Sequence, residues 1–189
     1  MSTATIQPRP TIDDLFADND GRLMELVRGE LQEKKVGFLA LWIATRIARL
    51  IGNYVDVKEI GWITTELPVD CFPWLGRHAR RPDVVYFSND RIPTDQPTED
   101  RLTAVPNLVV EVISRHDNAL ELDEKIDEYR RAGVDVIWVV NPQNQTVRVY
   151  DHKGGVQILS AGQTITGSDV IPGFVEQVRN FFPTPRPKK

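Results

Sequence analysis

The sequence predicts a single α/β domain, and three observations carry that prediction. Two short, strongly apolar strands run from Leu108 to Ile113 and from Val134 to Val140. An amphipathic helix lies between them, beginning near Asn118 and ending before Gly133. A longer helix, Val36 to Ile51, precedes all three. Strand, helix and strand in that order make a crossover unit with a parallel strand pair, right-handed by the general chirality of such connections. A strand apolar on both faces belongs inside a sheet covered from both sides. At 189 residues the chain has the usual size of one domain. Residues 1–10 read as a flexible lead, 11–182 as the domain, and 183–189, with three prolines and three basic residues, as a disordered tail.

Taken in order, Thr11 with Asp14 three residues on signals the start of a short helix, which stops before the turn cluster Asp18-Asn19-Asp20-Gly21. Leu23 to Val27 and Glu30 to Glu33, separated by Arg28-Gly29, form a small hairpin. The long helix repeats apolar residues at Leu39, Ile43, Ile47 and Leu50, with Gly52 as its stop. Strands are expected over Val55 to Ile63, Thr65 to Cys71 and Val84 to Phe87, the last opened by Pro82-Asp83. Ser88 to Pro106 is polar, carries Pro93, Pro97 and Pro106, and reads as a long loop. The helix after Asn118 has the stripe Leu122, Ile126 and Tyr129. Val147 to Tyr150 and Val156 to Leu159 form a C-terminal hairpin, and a short helix around Val175 to Phe182 closes the domain.

Composition excludes several function classes. With 27 acidic and 23 basic residues the net charge is −4, so bulk charge does not coat nucleic acid. The most apolar stretch, Val36 to Thr45, is about half the length a bilayer span needs and runs into Arg46 and Arg49. No signal peptide opens the chain, and one cysteine, Cys71, makes no internal disulfide, so a cytoplasmic location is expected. The histidines and Cys71 lack a zinc spacing, and neither a phosphate-binding glycine loop nor a serine-hydrolase elbow is present.

Glu111 is the residue that asks for an explanation. A lone carboxylate in an apolar strand costs several kcal/mol, on the order of magnitude, unless it is paired, protonated or bound to a metal. A buried salt bridge is the structural alternative. Asp83, at the start of another short strand, is on its own a turn residue. Brought beside Glu111 on a neighbouring strand, it would offer the hard oxygen donors that suit magnesium or manganese. Lys125 sits about 40–60° from the stripe of its helix, close enough to lean inward. There it would orient water or neutralise charge on a phosphate, or else only cover the core edge with its stem. Arg77, Arg80 and Arg81, with His78, lead into Asp83 and are candidates to meet phosphates, against the alternative of a solvated loop. Glu25 and Glu30 flank the first hairpin turn, where a surface role competes with a place in the site.

The segments LMELVRGEL (23–31), RRPDVVYF (80–87), PNLVVEVIS (106–114), DEKIDEYRRAGVDVIWVVNP (123–142) and VIPGF (170–174), in this order, resemble the Uma-two family of predicted endonucleases. That family belongs to the PD-(D/E)XK, or restriction-endonuclease-like, superfamily, and the resemblance runs from about Thr11 to Phe182. It implies a mixed sheet core flanked by helices, to which this chain adds an N-terminal and a C-terminal hairpin. It also implies Asp83 and Glu111 as ligands of a divalent cation, usually magnesium, with help from the Val112 carbonyl. The superfamily's lysine, two residues after the acid, is here Ile113, and Lys125 on the following helix takes its place. Many relatives carry a histidine before the first long helix where this chain has Val36-Gly37-Phe38, so no role tied to it transfers. Glu25 and Glu30 match the family's glutamates around the Gly29 turn, with Glu30 preferred as the third acidic group.

The expected activity is metal-dependent hydrolysis of DNA phosphodiester bonds, with magnesium, or manganese in its place, as cofactor. Arg80 and Arg81 are the expected substrate contacts. A homodimer fits two cuts on a duplex. The alternatives are a catalytically inactive nuclease-fold domain for binding or assembly, and hydrolysis of RNA or another phosphate ester.

Overall fold

The computed structural model describes residues 9–17, 22–92, 103–115 and 117–184. The lead through residue 8, the turn cluster 18–21, much of the expected Ser88–Pro106 loop, His116 and the tail from 185 lie outside them. Thr11 and Asp14 open a 3-10 turn, Ile12–Leu15, and the Asp14 carboxylate accepts from the Thr11 amide and hydroxyl. Strands β1 (Met24–Val27) and β2 (Glu30–Glu33) form the expected hairpin. Its turn residues Arg28 and Gly29 both have positive φ, as a two-residue hairpin turn of this hand requires.

The first helix is the main departure from expectation. Helix α1 spans Phe38–Lys58, runs straight through Gly52, and ends at Glu59 in the left-handed conformation. The strand expected from Val55 is therefore helix to Lys58, and β3 is only Gly61–Thr65. Gly52 is no stop because it lies on the buried face: a Cβ there would come within 3.3 Å of Ile63, so its missing side chain lets α1 lie close on β3. Thr65 to Cys71 is likewise not a strand, since Val69 makes only an isolated bridge to Arg80.

Strands β4 (Val84–Ser88), β5 (Leu108–Val112), β6 (Val136–Asn141), β7 (Thr146–Asp151) and β8 (Val156–Ser160) join β3 in one mixed sheet, ordered β3-β4-β5-β6-β7-β8. Only β5 and β6 run parallel, and the helix between them is α2, Ala119–Ala132, capped by the Asn118 side chain and stopped by Gly133. Strands β9 (Thr164–Thr166) and β10 (Val175–Gln177) pair separately, so the expected terminal helix is instead β10 followed by a 3-10 turn, Val178–Phe181.

Each face of the sheet carries its own core. Val84, Val110, Val112 and Trp138 pack with Ile43, Ile47 and Val55 of α1 on one face. Val85, Val109, Ile137 and Val139 pack with Leu122, Ile126 and Tyr129 of α2 on the other. The hairpin joins the second side edge-on, through paired backbone bonds between Leu26 and Ala79 of 3.0 and 2.7 Å. At the sheet's outer edge, a Cβ on Gly61 would run into the Phe87 carbonyl oxygen and the Tyr86 ring. Gly61→Ala is therefore expected to destabilise the fold by about 1–3 kcal/mol, read as a lower urea midpoint with an unchanged slope.

Candidate active site

Strand register sets the two acids side by side. Val84 pairs with Val110 across β4 and β5, and one further step of that antiparallel ladder puts Asp83 opposite Glu111. Side chains alternate along each strand. Val84 and Val110 face α1, so Asp83 and Glu111 both face α2, on the same side of the sheet. Both are buried, at 3% and 5% exposure. Asp83 Oδ2 accepts the Val112 amide at 2.5 Å, which ties the end of β4 to the end of β5. Val112 thus enters the site through its backbone, its side chain belonging to the α1 core.

Lys125 leans inward: its Nζ lies 2.8 Å from Glu25 Oε1 and 4.0 Å from Glu111 Oε1. The Tyr129 hydroxyl, one turn further along α2, donates to Glu111 Oε1 at 2.7 Å. Glu25, buried in β1, is the hairpin glutamate that joins the cluster. Glu30, the one preferred from sequence, stands exposed at the pocket's rim. The reason is strand position and not pleat, since both glutamates share one hairpin face: Glu25 sits on the inner strand, packed against residues 77–81, whereas β2 is the hairpin's outer strand.

The arginines are also placed differently from expectation. Arg80 is buried and clamps Glu128 of α2 through Nε at 2.6 Å and Nη2 at 3.1 Å, and it bonds Glu25 Oε2 at 3.1 Å. His78 Nε2 lies 3.1 Å from the same Glu128. Arg81 spends its guanidinium on the carbonyls of Met24, Glu66 and Leu15. Neither presents a free fork to a phosphate: both guanidiniums, expected as substrate contacts, are engaged inside the protein. Their donors saturate carbonyls and carboxylates that burial would otherwise leave unpaired.

Sequence reasoning missed two residues of the site. Lys34, just after β2, donates from Nζ to Asp83 Oδ1 at 2.6 Å, to the Arg81 carbonyl at 2.7 Å and to Glu66 Oε2 at 2.8 Å. Glu66 follows β3 in the left-handed conformation, at φ 55°, and its carboxylate accepts from Lys34. The hairpin register held the signal for Lys34. Glu25 pairs with Gln32, and the alternation of β2 places Lys34 on that same side.

The electrostatics show more negative charge than the two ammonium groups relieve. Burial raises the Glu111 carboxyl, with Lys125 opposing and Asp83 adding to the rise. Burial also drives Glu66 up to about 7, against the pull of Lys34. Glu25 is buried too, yet Lys125 and Arg80 hold its carboxyl below the usual range. Burial alone would lower Lys125, but Glu111 and Glu25 outweigh it and keep the ammonium protonated. Glu25, Lys34, Asp83, Glu111 and Lys125 line an open pocket of about 680 Å³ between the hairpin and the start of α2.

No group of three His, Cys, Asp or Glu side chains in metal-holding geometry occurs among the described residues. Lys34 and Lys125 stand among the carboxylates as their counter-charges. The donor set nonetheless suits a hard cation. Asp83 and Glu111 are oxygen donors in the pocket wall, Glu66 is joined to Asp83 through the Lys34 ammonium, and Glu66 Oε1 is buried with no hydrogen-bond partner among the described residues. An ammonium already sits among three oxygens there, in the kind of place a cation takes.

Comparison with known proteins adds to this geometry. The family model Uma2, described as "Putative restriction endonuclease", matches residues 10–179. Among solved structures, the crystal structure of "a putative nuclease belonging to DUF820" from Anabaena variabilis ATCC 29413 is similar. Its TM-score is 0.75 at 18% identity, with 92% of each chain covered. At that identity the likeness is one of fold. No curated protein matches the chain.

Proposed function

The chain belongs to the Uma2 "Putative restriction endonuclease" family, and from that premise we propose that it is a divalent-metal-dependent nuclease cutting phosphodiester bonds of DNA. The observation that carries the reading is the facing of Asp83 and Glu111 across β4 and β5, both buried, with Lys125 at 4.0 Å from Glu111. Asp83 and Glu111 would hold the cation, magnesium or manganese, with the Val112 carbonyl and Glu66 as further oxygen donors. When bound, such a cation polarises a phosphate and acidifies a water.

The protein's own groups then divide the work. Lys125 is held protonated by its carboxylate neighbours, so it acts as a fixed positive charge and not as a proton acceptor. Set beside the reacting phosphate, it would stabilise the negative charge that develops there. Tyr129 and Glu25 aim the two partners: the hydroxyl fixes the Glu111 carboxylate, and Glu25 fixes the ammonium. Arg28 and Lys35, on the hairpin at the pocket's mouth, are the basic groups placed to meet a nucleic-acid backbone. The described residues of one chain form one such pocket, so cutting both strands takes two copies or two encounters.

One observation favours a second reading, an inactive nuclease-fold scaffold. Lys34 and Lys125 already pair with Asp83 and Glu25, as they would in a site that has given up its metal. Wild-type protein with plasmid DNA and about millimolar magnesium or manganese separates the two. The nuclease nicks or linearises the plasmid with metal, stops with chelator, and gains several degrees in melting midpoint from the metal alone. A protein that gains no stability and leaves both plasmid and single-stranded RNA intact is the scaffold. Cleavage of the RNA alone moves the substrate class and keeps the chemistry.

No helix among the described residues is long and apolar enough to cross a membrane.

A further inference from the structure

We propose that Lys34 is the site's built-in counter-ion: its ammonium holds Asp83 and Glu66 in the metal-free protein and is displaced when a divalent cation binds, so that this lysine sets the pocket's cation affinity. The proposal deepens the metal-dependent reading and rests on it.

Geometry carries it. An ammonium has three N–H donors, and all three of Lys34's go to oxygens, Asp83 Oδ1 at 2.6 Å, the Arg81 carbonyl at 2.7 Å and Glu66 Oε2 at 2.8 Å. The side chain is only 10% exposed, so this is a built arrangement and not a solvated surface pair. Asp83's other oxygen takes the Val112 amide, so both of its oxygens are engaged. A dication binding Asp83 would share it with an ammonium a few ångström away in a half-buried pocket, where repulsion between the two is strong. One of them has to leave.

Lys34 is the group able to leave. It stands on a flexible four-carbon stem at the end of the outer hairpin strand and lines the open pocket, into which it can swing. Arg80 cannot do the same, because two parallel bonds to Glu128 and a third to Glu25 lock its plane. Lys125 is anchored at 2.8 Å by Glu25, has no bond to Asp83 and stands 4.0 Å from Glu111, beyond hydrogen-bond distance, so a cation shared by Asp83 and Glu111 takes no hydrogen bond from it. The two lysines thus have different duties: Lys125 stays beside Glu111, and Lys34 exchanges.

The test uses manganese alone as probe, titrated calorimetrically into the full-length protein and into Lys34→Met, which keeps the stem and drops the charge. Lys34→Met is expected to bind manganese about tenfold or more tightly than wild type. Its metal-free melting midpoint should fall, with manganese restoring it. Lys34→Arg, which keeps the charge, should bind no more tightly than wild type. Should Lys34→Met fold poorly, Lys34→Met/Glu66→Gln compared with Glu66→Gln alone removes the ammonium from a balanced background and should show the same gain. Equal or weaker binding in the lysine-free protein overturns the counter-ion role and leaves the nuclease reading standing. Absence of manganese binding in wild type and every variant overturns both.

Discussion

Asp83→Asn is expected to lose metal-dependent DNA cleavage by about a thousandfold or more while its melting midpoint stays within a few degrees of wild type. Asparagine keeps the size of the side chain and an oxygen that accepts the Val112 amide, so the tie between β4 and β5 survives. Lys34 retains Glu66 and the Arg81 carbonyl. What disappears is one negative charge opposite Glu111, at the place where two carboxylates would share a cation, together with the oxygen that accepts from Lys34. Glu111→Gln should behave alike, because its amide oxygen still accepts from Tyr129 while its charge is gone. Glu30→Gln is the internal control. That residue is exposed at the rim, so its loss should change the rate by less than about threefold, the scale of a surface substitution. Plasmid nicking under excess metal measures all three. An Asp83→Asn protein as fast as wild type would sink the catalytic assignment and leave the scaffold.

The sequence made some of this legible and hid the rest for physical reasons. The runs around Glu111 and Trp138 can only be interior strands, and Gly133 stops α2 where a left-handed residue is needed, so β5, α2 and β6 were readable within a residue or two. Gly52 misled because a glycine after an apolar repeat looks like a stop, whereas here it is a contact surface for Ile63. Asp83 and Glu111 were foreseen as a pair, and the sheet register sets them facing. Lys34 was hidden inside Glu33-Lys34-Lys35, a charge run that reads as solvated, and Glu66 inside an expected strand. Local patterning shows which side a residue takes but not what arrives there from 30 to 50 positions away. Lys34 meets Glu66 at a separation of 32 and Asp83 at 49, and only the folded hairpin brings them together. The same limit explains the arginines. A basic run before an acid suggests phosphate, until Glu128, 48 positions on, turns out to face it.

That arginine carries the largest expected effect on the fold. Glu128→Ala should cost about 3–5 kcal/mol in urea unfolding, because it leaves the Arg80 guanidinium buried with only Glu25 against it and takes the carboxylate from His78. The pH dependence follows from the same contacts. Burial would raise the Glu128 carboxyl, but His78 and Arg80 outweigh it and hold it at about 2, against an ordinary value of 4.5. A carboxyl lowered on folding binds fewer protons in the native state than in the unfolded one between those values, so stability rises with pH there. Its contribution is complete above about pH 4.5 and is lost as pH falls through about 2. Glu128→Gln should therefore be less stable than wild type at neutral pH, with the gap closing on acidification. Arg80→Met/Glu128→Met, which removes both charges, should cost less than Glu128→Ala, since no unpaired ion remains. If the double variant were instead the less stable of the two, the packing of these side chains, not their charge, would be what secures the hairpin to α2. Because Arg80 also bonds Glu25, and Glu25 holds Lys125, Glu128→Gln should slow cleavage without touching substrate. The loss should lie in turnover, with manganese affinity near that of wild type, which separates the positioning of Lys125 from the holding of the cation.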